Sequence, residues 1–415
     1  MSLAQACSLR RVAALGLLLC ALAAPMSAWC VQSTSWIGAW SAAPDQAGPA
    51  LAPLTVRQIV RPSVGGPQVR VRLSNLYGKG PVTFGAVHVG LHAGGAAIIP
   101  GTDRAMRFGG KTAVTVNAGE SILSDPADLA VLPLQQLAVS IYLPQGAASP
   151  TLHGTGLQTA YLAQARDATA SIPFPVGSTD DSRYFLTDVE VTGDQAMRSL
   201  VVVGDSIADG IGSSEDRHSR WPDLLAERLQ GDPRLASIAV VNAGISGNRI
   251  LNDAAAPFVG PSMLARLARD ALSKPGVRWI ILHAGINDIT AADVLPGASD
   301  RVSAAHIIAG MKTLIAAAHA KGIKVWGATL LPRGGSGGSR AHTPAAESMR
   351  QEVNAWIRGA GNFDAVIDFE QVLRAADHPD RLQATLDSGD HTHPNDAGYR
   401  AMAAAVDLRL FSERE

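Results

Sequence analysis

The sequence predicts two fold classes in one chain. An all-β sandwich of jelly-roll type is expected over 36–191, and a doubly wound α/β part with a five-stranded parallel sheet over 198–411. Period-two alternation with dense turn punctuation marks the first stretch, and continuous β-branched runs separated by helical segments mark the second. The change between the patterns is abrupt near residue 198.

The chain opens on an export signal, read here as residues 1–30. Arg10 and Arg11 precede an apolar stretch, Val12 to Ala24, that is shorter than the roughly 20 residues a bilayer span needs. Small residues follow, with cleavage expected after Ala28 or Cys30. The arginine pair leaves both the general and the twin-arginine routes open. The mature protein is thus expected to be secreted or periplasmic, without stable membrane insertion. Cys7, Cys20 and Cys30 all lie in this leader, so the rest has no disulfide, no thiolate metal site and no cysteine nucleophile. With 35 basic and 36 acidic side chains, nothing points to a nucleic-acid partner.

In the β-rich stretch, Gln68 to Leu73 and Gln136 to Tyr142 alternate polar and apolar residues. Thr83 to Leu91 and Thr112 to Val116 are further expected strands, Ala163 to Pro175 an expected loop, and Tyr184 to Val191 the expected last strand. Gly65-Gly66-Pro67, Gly78-Lys79-Gly80-Pro81, Gly94-Gly95 and Gly109-Gly110 supply the turns. The Trp36 and Trp40 pair reads as packing in preference to a sugar platform.

After residue 198, buried strands are expected at Leu200 to Val203, Ile238 to Val241, Trp279 to Leu282, Lys324 to Leu331 and Ala365 to Phe369. Helices are expected between them. Trp221 to Gln230 has Pro222 in its first turn, and Pro261 to Ser273 has an apolar face. Ala304 to Lys321 stops at Gly322, Thr343-Pro344 starts another helix, and Asn395 caps a last one. Ligands of such sheets bind beyond the carboxyl ends of the strands.

Four segments stand at those ends. Gly204-Asp205-Ser206 follows the first strand, where the serine is either a nucleophile or a helix cap. Asp205 reads as a structural acceptor. Asn242 to Asn248 follows the second, and its glycines allow close backbone approach or form an ordinary turn. Gly285-Ile286-Asn287-Asp288 follows the third, with an amide donor that is alternatively an Asx turn, and Asp288 holding the loop. Asp390 and His393 are three apart, so one turn can hold the carboxylate against the imidazole. A rival reading makes Asp387, Asp390, His391 and His393 a metal site, which would leave Ser206, Gly247 and Asn287 without roles. Taken together, the four segments supply nucleophile, base, orienter and oxyanion donors for acyl transfer.

These blocks resemble the SGNH, or GDSL, hydrolases: Gly204-Asp205-Ser206, the Gly247 loop, Gly285-Ile286-Asn287-Asp288 and Asp390-x-x-His393-Pro394, in that order. The β-rich first half, starting near Trp36-Ile37-Gly38-Ala39-Trp40, resembles the xylan-esterase-like subgroup. The resemblance implies a flavodoxin-like αβα sandwich and a secreted carboxyl-ester hydrolase that needs no metal or organic cofactor. It implies Ser206 as nucleophile, His393 as base and Asp390 as orienter. Ser206, Gly247 and Asn287 fall at the oxyanion positions, with Gly244 the neighbouring candidate for Gly247.

Asn248 and Arg249 are expected to line the substrate cleft or form a solvated turn, and the glycine-rich loop 334–338 to act as a lid or an idle loop. His283 is expected to pack in the core. The favoured substrate is an acetylated polysaccharide such as acetylxylan. A general short-chain or lipid esterase is the alternative, and a noncatalytic polysaccharide-binding protein the alternative of another class. The oligomeric state is left open.

Overall fold

The computed structural model describes residues 35–253, 256–294, 301–337 and 342–412. The expected export signal, residues 1–30 with Cys7, Cys20 and Cys30, falls outside the described residues.

Two antiparallel sheets make up most of the β part. One runs Ser35–Ser41, Leu186–Gly193, Gly66–Ser74, Ser121–Leu123, with Ala127–Val131 also pairing to Gly66–Ser74. The other runs Ser178–Asp180, Ala160–Gln164, Leu54–Val60, Leu137–Leu143, Ala86–Gly94, Ala97–Ile98. Alternation decides what faces inward. Val69, Val71 and Leu73 from the first sheet share a core with Val56, Val60, Val89, Val139 and Ile141 from the second. Phe84 and Phe185 meet edge to face in the same core, their centroids 5.2 Å apart.

Three expectations here need correction. The Thr83 to Leu91 run is two strands, Val82–Phe84 and Ala86–Gly94, because Gly85 turns its N–H to the Tyr142 carbonyl. The expected loop begins later, since Ala163 and Gln164 finish the strand Ala160–Gln164. The last strand starts at Leu186, after Phe185 adopts φ 60° and breaks the run from Arg183–Tyr184.

The αβ part has five parallel strands in the order Ile238–Gly244, Arg198–Gly204, Val277–His283, Lys324–Ala328, Ala365–Ile367, the 2-1-3-4-5 order of flavodoxin-like folds. The β-branched runs are explained by burial on both faces. Leu200 and Val202 pack with Trp221, Leu225, Tyr399 and Met402 on the side of the helices Trp221–Gln230 and Asp396–Ala405. Val201 and Val203 pack with Met263, Met311, Leu314 and Val353 on the opposite side, under the helices Ala304–His319 and Pro344–Arg358. Thr343 and Asn395 cap as expected, accepting from the N–H of Ala346 and Gly398. The expected helix Pro261 to Ser273 is an α-turn, Met263–Leu267, that widens into a π-turn, Ala268–Leu272. The last two strands end earlier than expected, and Phe369 opens the short helix Phe369–Leu373. His283 is buried against Phe369, and burial pushes its imidazole down to about 4.

The parts meet along the strand Ser35–Ser41. Ile37 and Ala39 pack on Ala239. The Gly38 N–H donates to the Pro275 carbonyl at 3.1 Å, and the Ser199 hydroxyl donates to the Gly38 carbonyl at 3.1 Å. Trp36 and Trp40 lie under the guanidinium groups of Arg70 and Arg183, at 4.1 and 5.7 Å. Among the described residues no helix is long and apolar enough to cross a membrane.

Candidate active site

The first parallel strand ends at Gly204, and the chain turns at once into the one-turn helix Ser206–Asp209. Asp205 is the cap of that turn, its carboxylate accepting from the Ile207 N–H at 3.1 Å. Ser206 is therefore released from capping. Burial pushes the Asp205 carboxyl up to about 7, with Asp288 adding to the shift and Arg333 opposing it. A single turn has little macrodipole, so the useful group is its exposed backbone N–H.

The Ser206 hydroxyl lies 2.8 Å from His393 Nε2. On the other side of the ring, His393 Nδ1 lies 2.6 Å from an Asp390 oxygen. The second Asp390 oxygen accepts from the backbone N–H groups of Thr392 and His393, at 2.9 and 2.8 Å. Burial works against the Asp390 charge, but the ring contact and these N–H donors outweigh it and hold the carboxyl far below the usual range.

The neighbouring pair is separate: Asp387 sits 2.7 Å from His391 Nδ1, and His391 is exposed at φ 59°. The four side chains of the metal reading thus divide into two acid–imidazole pairs.

The two glycines after the second strand do different work. A Cβ on Gly244 would stand 2.6 Å from the Asp209 backbone N, so Gly244 lets the Ser206 turn pack on the strand end. Gly247 is half-buried at φ +77°, and a Cβ there would stand 2.5 Å from Val259 Cγ1. Among the described residues nothing accepts from the N–H of Ser206 or of Gly247.

Asn287, on the first turn of the helix Ile286–Val294, donates from its amide to the Asn248 carbonyl at 3.1 Å. Asp288 accepts from the N–H of Ile250 and Leu251, at 2.9 and 3.1 Å, and so braces the loop that follows Gly247 more than the Asn287 turn itself. Burial pushes its carboxyl up to about 6, against those two N–H bonds.

Asn248 and Arg249 lie inside rather than forming a solvated turn. The Asn248 amide donates to the carbonyls of Val259 and Pro261, and its oxygen accepts from Arg266, so its polar side-chain atoms are taken by the protein. Arg249 is buried and donates to the Asp253 carbonyl. The start of the glycine-rich loop is also held: Gly334 N–H donates to the Asp380 carbonyl at 2.6 Å, and Arg333 donates to the Thr290 hydroxyl. Residues 338–341 of that loop lie outside the described residues.

Arg266 gives no signal in the sequence. It sits on a helix face whose apolar spacing is otherwise sufficient, yet it is only 2% exposed. Its guanidinium reaches Asn248 Oδ1 at 2.9 Å, the Ala243 carbonyl at 2.7 Å and the Gly204 carbonyl at 3.2 Å, with Asp270 as counter-ion at 3.1 Å. It fastens the ends of the first two strands to the Gly247 loop.

Residues 202–401 match the GDSL-like Lipase/Acylhydrolase family. The αβ part is a GDSL-like hydrolase. The protein is accordingly a serine ester hydrolase. No curated protein sequence matches the chain.

Among solved structures, a GDSL-like lipase from Bacteroides thetaiotaomicron is 20% identical and covers 50% of this chain and 85% of its own, with a TM-score of 0.36. An acetyl xylan esterase is 21% identical, covering 50% of this chain and 96% of its own at a TM-score of 0.36. A catalytic mutant of an acetylxylan esterase from Geobacillus stearothermophilus is 22% identical, covering 50% and 91% at 0.37. Each covers half of this chain.

Proposed function

We propose that Ser206 is the nucleophile of this hydrolase, His393 its general base and acid, and Asp390 the group that orients the imidazole and stabilises its charged form. The observation that carries this is the unbroken chain Asp390–His393–Ser206, with contacts of 2.6 and 2.8 Å. Ser206 attacks the ester carbonyl while His393 takes its proton, and the same proton then goes to the departing alcohol. Water, deprotonated by His393, releases the acid from the acyl-serine. The tetrahedral oxyanion is held by the N–H groups of Ser206 and Gly247 and by the Asn287 amide.

We further propose residues 198–411 as the catalytic domain, 36–191 as its accessory domain, and export through 1–30. The substrate read here is an acetyl ester on a plant-type polysaccharide such as acetylxylan. Phe258 supports a sugar: it is an aromatic side chain 55% exposed, and it directly precedes the Val259 that backs Gly247.

The test is acetate release from acetylated xylan by the wild type and by Ser206→Ala, with an aryl acetate in parallel and a fluorophosphonate to label the serine. Serine-dependent release from the polymer supports the full reading. Cleavage of the aryl acetate alone discards the polysaccharide and keeps the mechanism. Labelling that persists in Ser206→Ala overturns the nucleophile.

A further inference from the structure

The β part sends one imidazole into the αβ part. His153 ends the short strand Thr151–His153 and is 5% exposed. Its Nδ1 faces the Ala43 carbonyl at 2.8 Å and the Asp45 carboxylate at 3.6 Å. Its Nε2 faces Asp209 Oδ1 at 3.0 Å and the Thr155 carbonyl at 3.0 Å. Both nitrogens therefore look onto acceptors. A neutral imidazole can donate from only one nitrogen, so this site fits the imidazolium. Burial opposes the charge, but Asp209 and Asp45 overcome it against the nearby Arg220, and the group rises to about 9.

Asp209, the last residue of the Ser206 turn, hands the contact on. Its Oδ2 accepts from the Ser246 N–H at 2.9 Å and from the Ser246 hydroxyl at 2.7 Å. Ser246 immediately precedes Gly247, whose N–H has no acceptor among the described residues. A cation in the β part thus faces a carboxylate on the nucleophile turn, and that carboxylate holds the residue before an oxyanion donor.

We propose that His153 and Asp209 are positioning residues for ester hydrolysis: the His153 imidazolium fixes the Asp209 carboxylate, which sets the Gly247 N–H through Ser246. The proposal rests on the oxyanion role given above to Gly247. Neither residue touches the substrate. They act by holding a donor within the fraction of an ångström that oxyanion stabilisation requires.

The arrangement has a pH sense. Below about pH 9 the ring carries its proton and the loop is fixed. Above it the ring discharges, Nε2 or Nδ1 is left facing lone pairs, and Asp209 loses its counter-charge.

The experiment compares the wild type with His153→Gln, Asp209→Asn and Ser246→Ala. It measures kcat and KM on an aryl acetate from pH 6 to 10, melting temperature, and hydrogen exchange of segment 244–250. In His153→Gln and Asp209→Asn, kcat is expected to fall about 10–100-fold with KM within about twofold. Exchange of 244–250 is expected to quicken, and the decline of kcat near pH 9 to disappear in His153→Gln. A lower melting temperature with unchanged kcat, alkaline profile and exchange overturns the proposal and leaves a purely structural pair.

Should His153→Gln and Asp209→Asn not fold, Ser246→Ala decides alone, since it removes only one hydroxyl. Quicker exchange of 244–250 with lower kcat supports the proposal, and wild-type values overturn it. A wild type inactive on every ester would sink the oxyanion role and this proposal with it, whereas an active wild type with variants of unchanged kcat and exchange overturns this proposal alone.

Discussion

The amide of Asn287 donates to the backbone carbonyl of Asn248, one residue beyond Gly247. An amide nitrogen has two protons, and this bond uses one. The side chain can therefore fix the Gly247 loop with one N–H and present the other to an oxyanion. Asn287→Ala is expected to lower kcat by about 10²–10³ with a smaller change in KM. Steady-state kinetics on an aryl acetate check this, and near-normal turnover in a folded variant removes Asn287 from the oxyanion site.

Asp390 stays ionised through the working range, because the His393 ring and two backbone N–H groups hold its charge despite burial. An acid limb in kcat/KM above about pH 4 thus does not report Asp390. Asp390→Asn keeps the size of the side chain and removes the charge. Turnover is expected to drop about 10³–10⁴-fold. A variant within tenfold of wild type would show that His393 needs no charged orienter.

Gly247 combines φ +77° with a Val259 methyl where a Cβ would stand. Gly247→Ala is expected to cost about 1–3 kcal/mol of stability and most of the activity. Adding Val259→Ala relieves the steric conflict and leaves the backbone penalty, so it should restore part of the stability. Urea unfolding of the single and double variants measures the split. Equal stability of Gly247→Ala and wild type would mean that the loop has another resting shape.

Arg266 is expected to be the costliest single truncation around the site. Arg266→Met retains the apolar stem but removes the guanidinium donor from the Asn248 oxygen and from the Gly204 and Ala243 carbonyls, and takes one counter-charge from buried Asp270. A loss of about 3–5 kcal/mol is expected. A shift of the denaturation midpoint equivalent to under about 1 kcal/mol would contradict this accounting.

His153 also makes stability depend on pH, with a definite sign. Its folded value, about 9, is above its ordinary 6.5, so the folded chain keeps a proton that the unfolded chain releases between those values. Its contribution is complete below about 6.5 and is lost as pH rises through about 9. Unfolding free energies of the wild type should fall across that window by a few kcal/mol more than those of His153→Gln. Parallel curves would show that the ring does not gain its proton on folding.

What is legible in the sequence is whatever local spacing encodes. The run Leu200 to Val203 can only be a strand buried on both faces, and it divides its side chains between two cores. Asp390 and His393, three apart, have to meet if the turn closes. Gly85 is not legible as a break, since its reason is the Tyr142 carbonyl on another strand. Arg266, Asp209 and His153 are illegible for the same cause. Arg266 meets Asn248 and Gly204 across 18 and 62 residues, Asp209 meets Ser246 across 37, and His153 meets Asp209 across 56, and no periodicity records such meetings. Asn248 misleads because a polar residue after two glycines resembles a surface turn until Arg266 and the Val259 and Pro261 carbonyls enclose it.

The strand Ser35–Ser41 has one further consequence, for the time at which the fold can close. Gly38 gives its N–H to Pro275 and its carbonyl to Ser199. The first described strand thus waits for segments that come from the ribosome long after it. Such distant closures raise the contact order and slow folding. The β sandwich can gather its own core early, but its edge at Gly38 is satisfied only when the third parallel strand is at hand. Assembly is interlocked from the first described strand to the middle of the second half, and the turn at Ser206 is reached on the way.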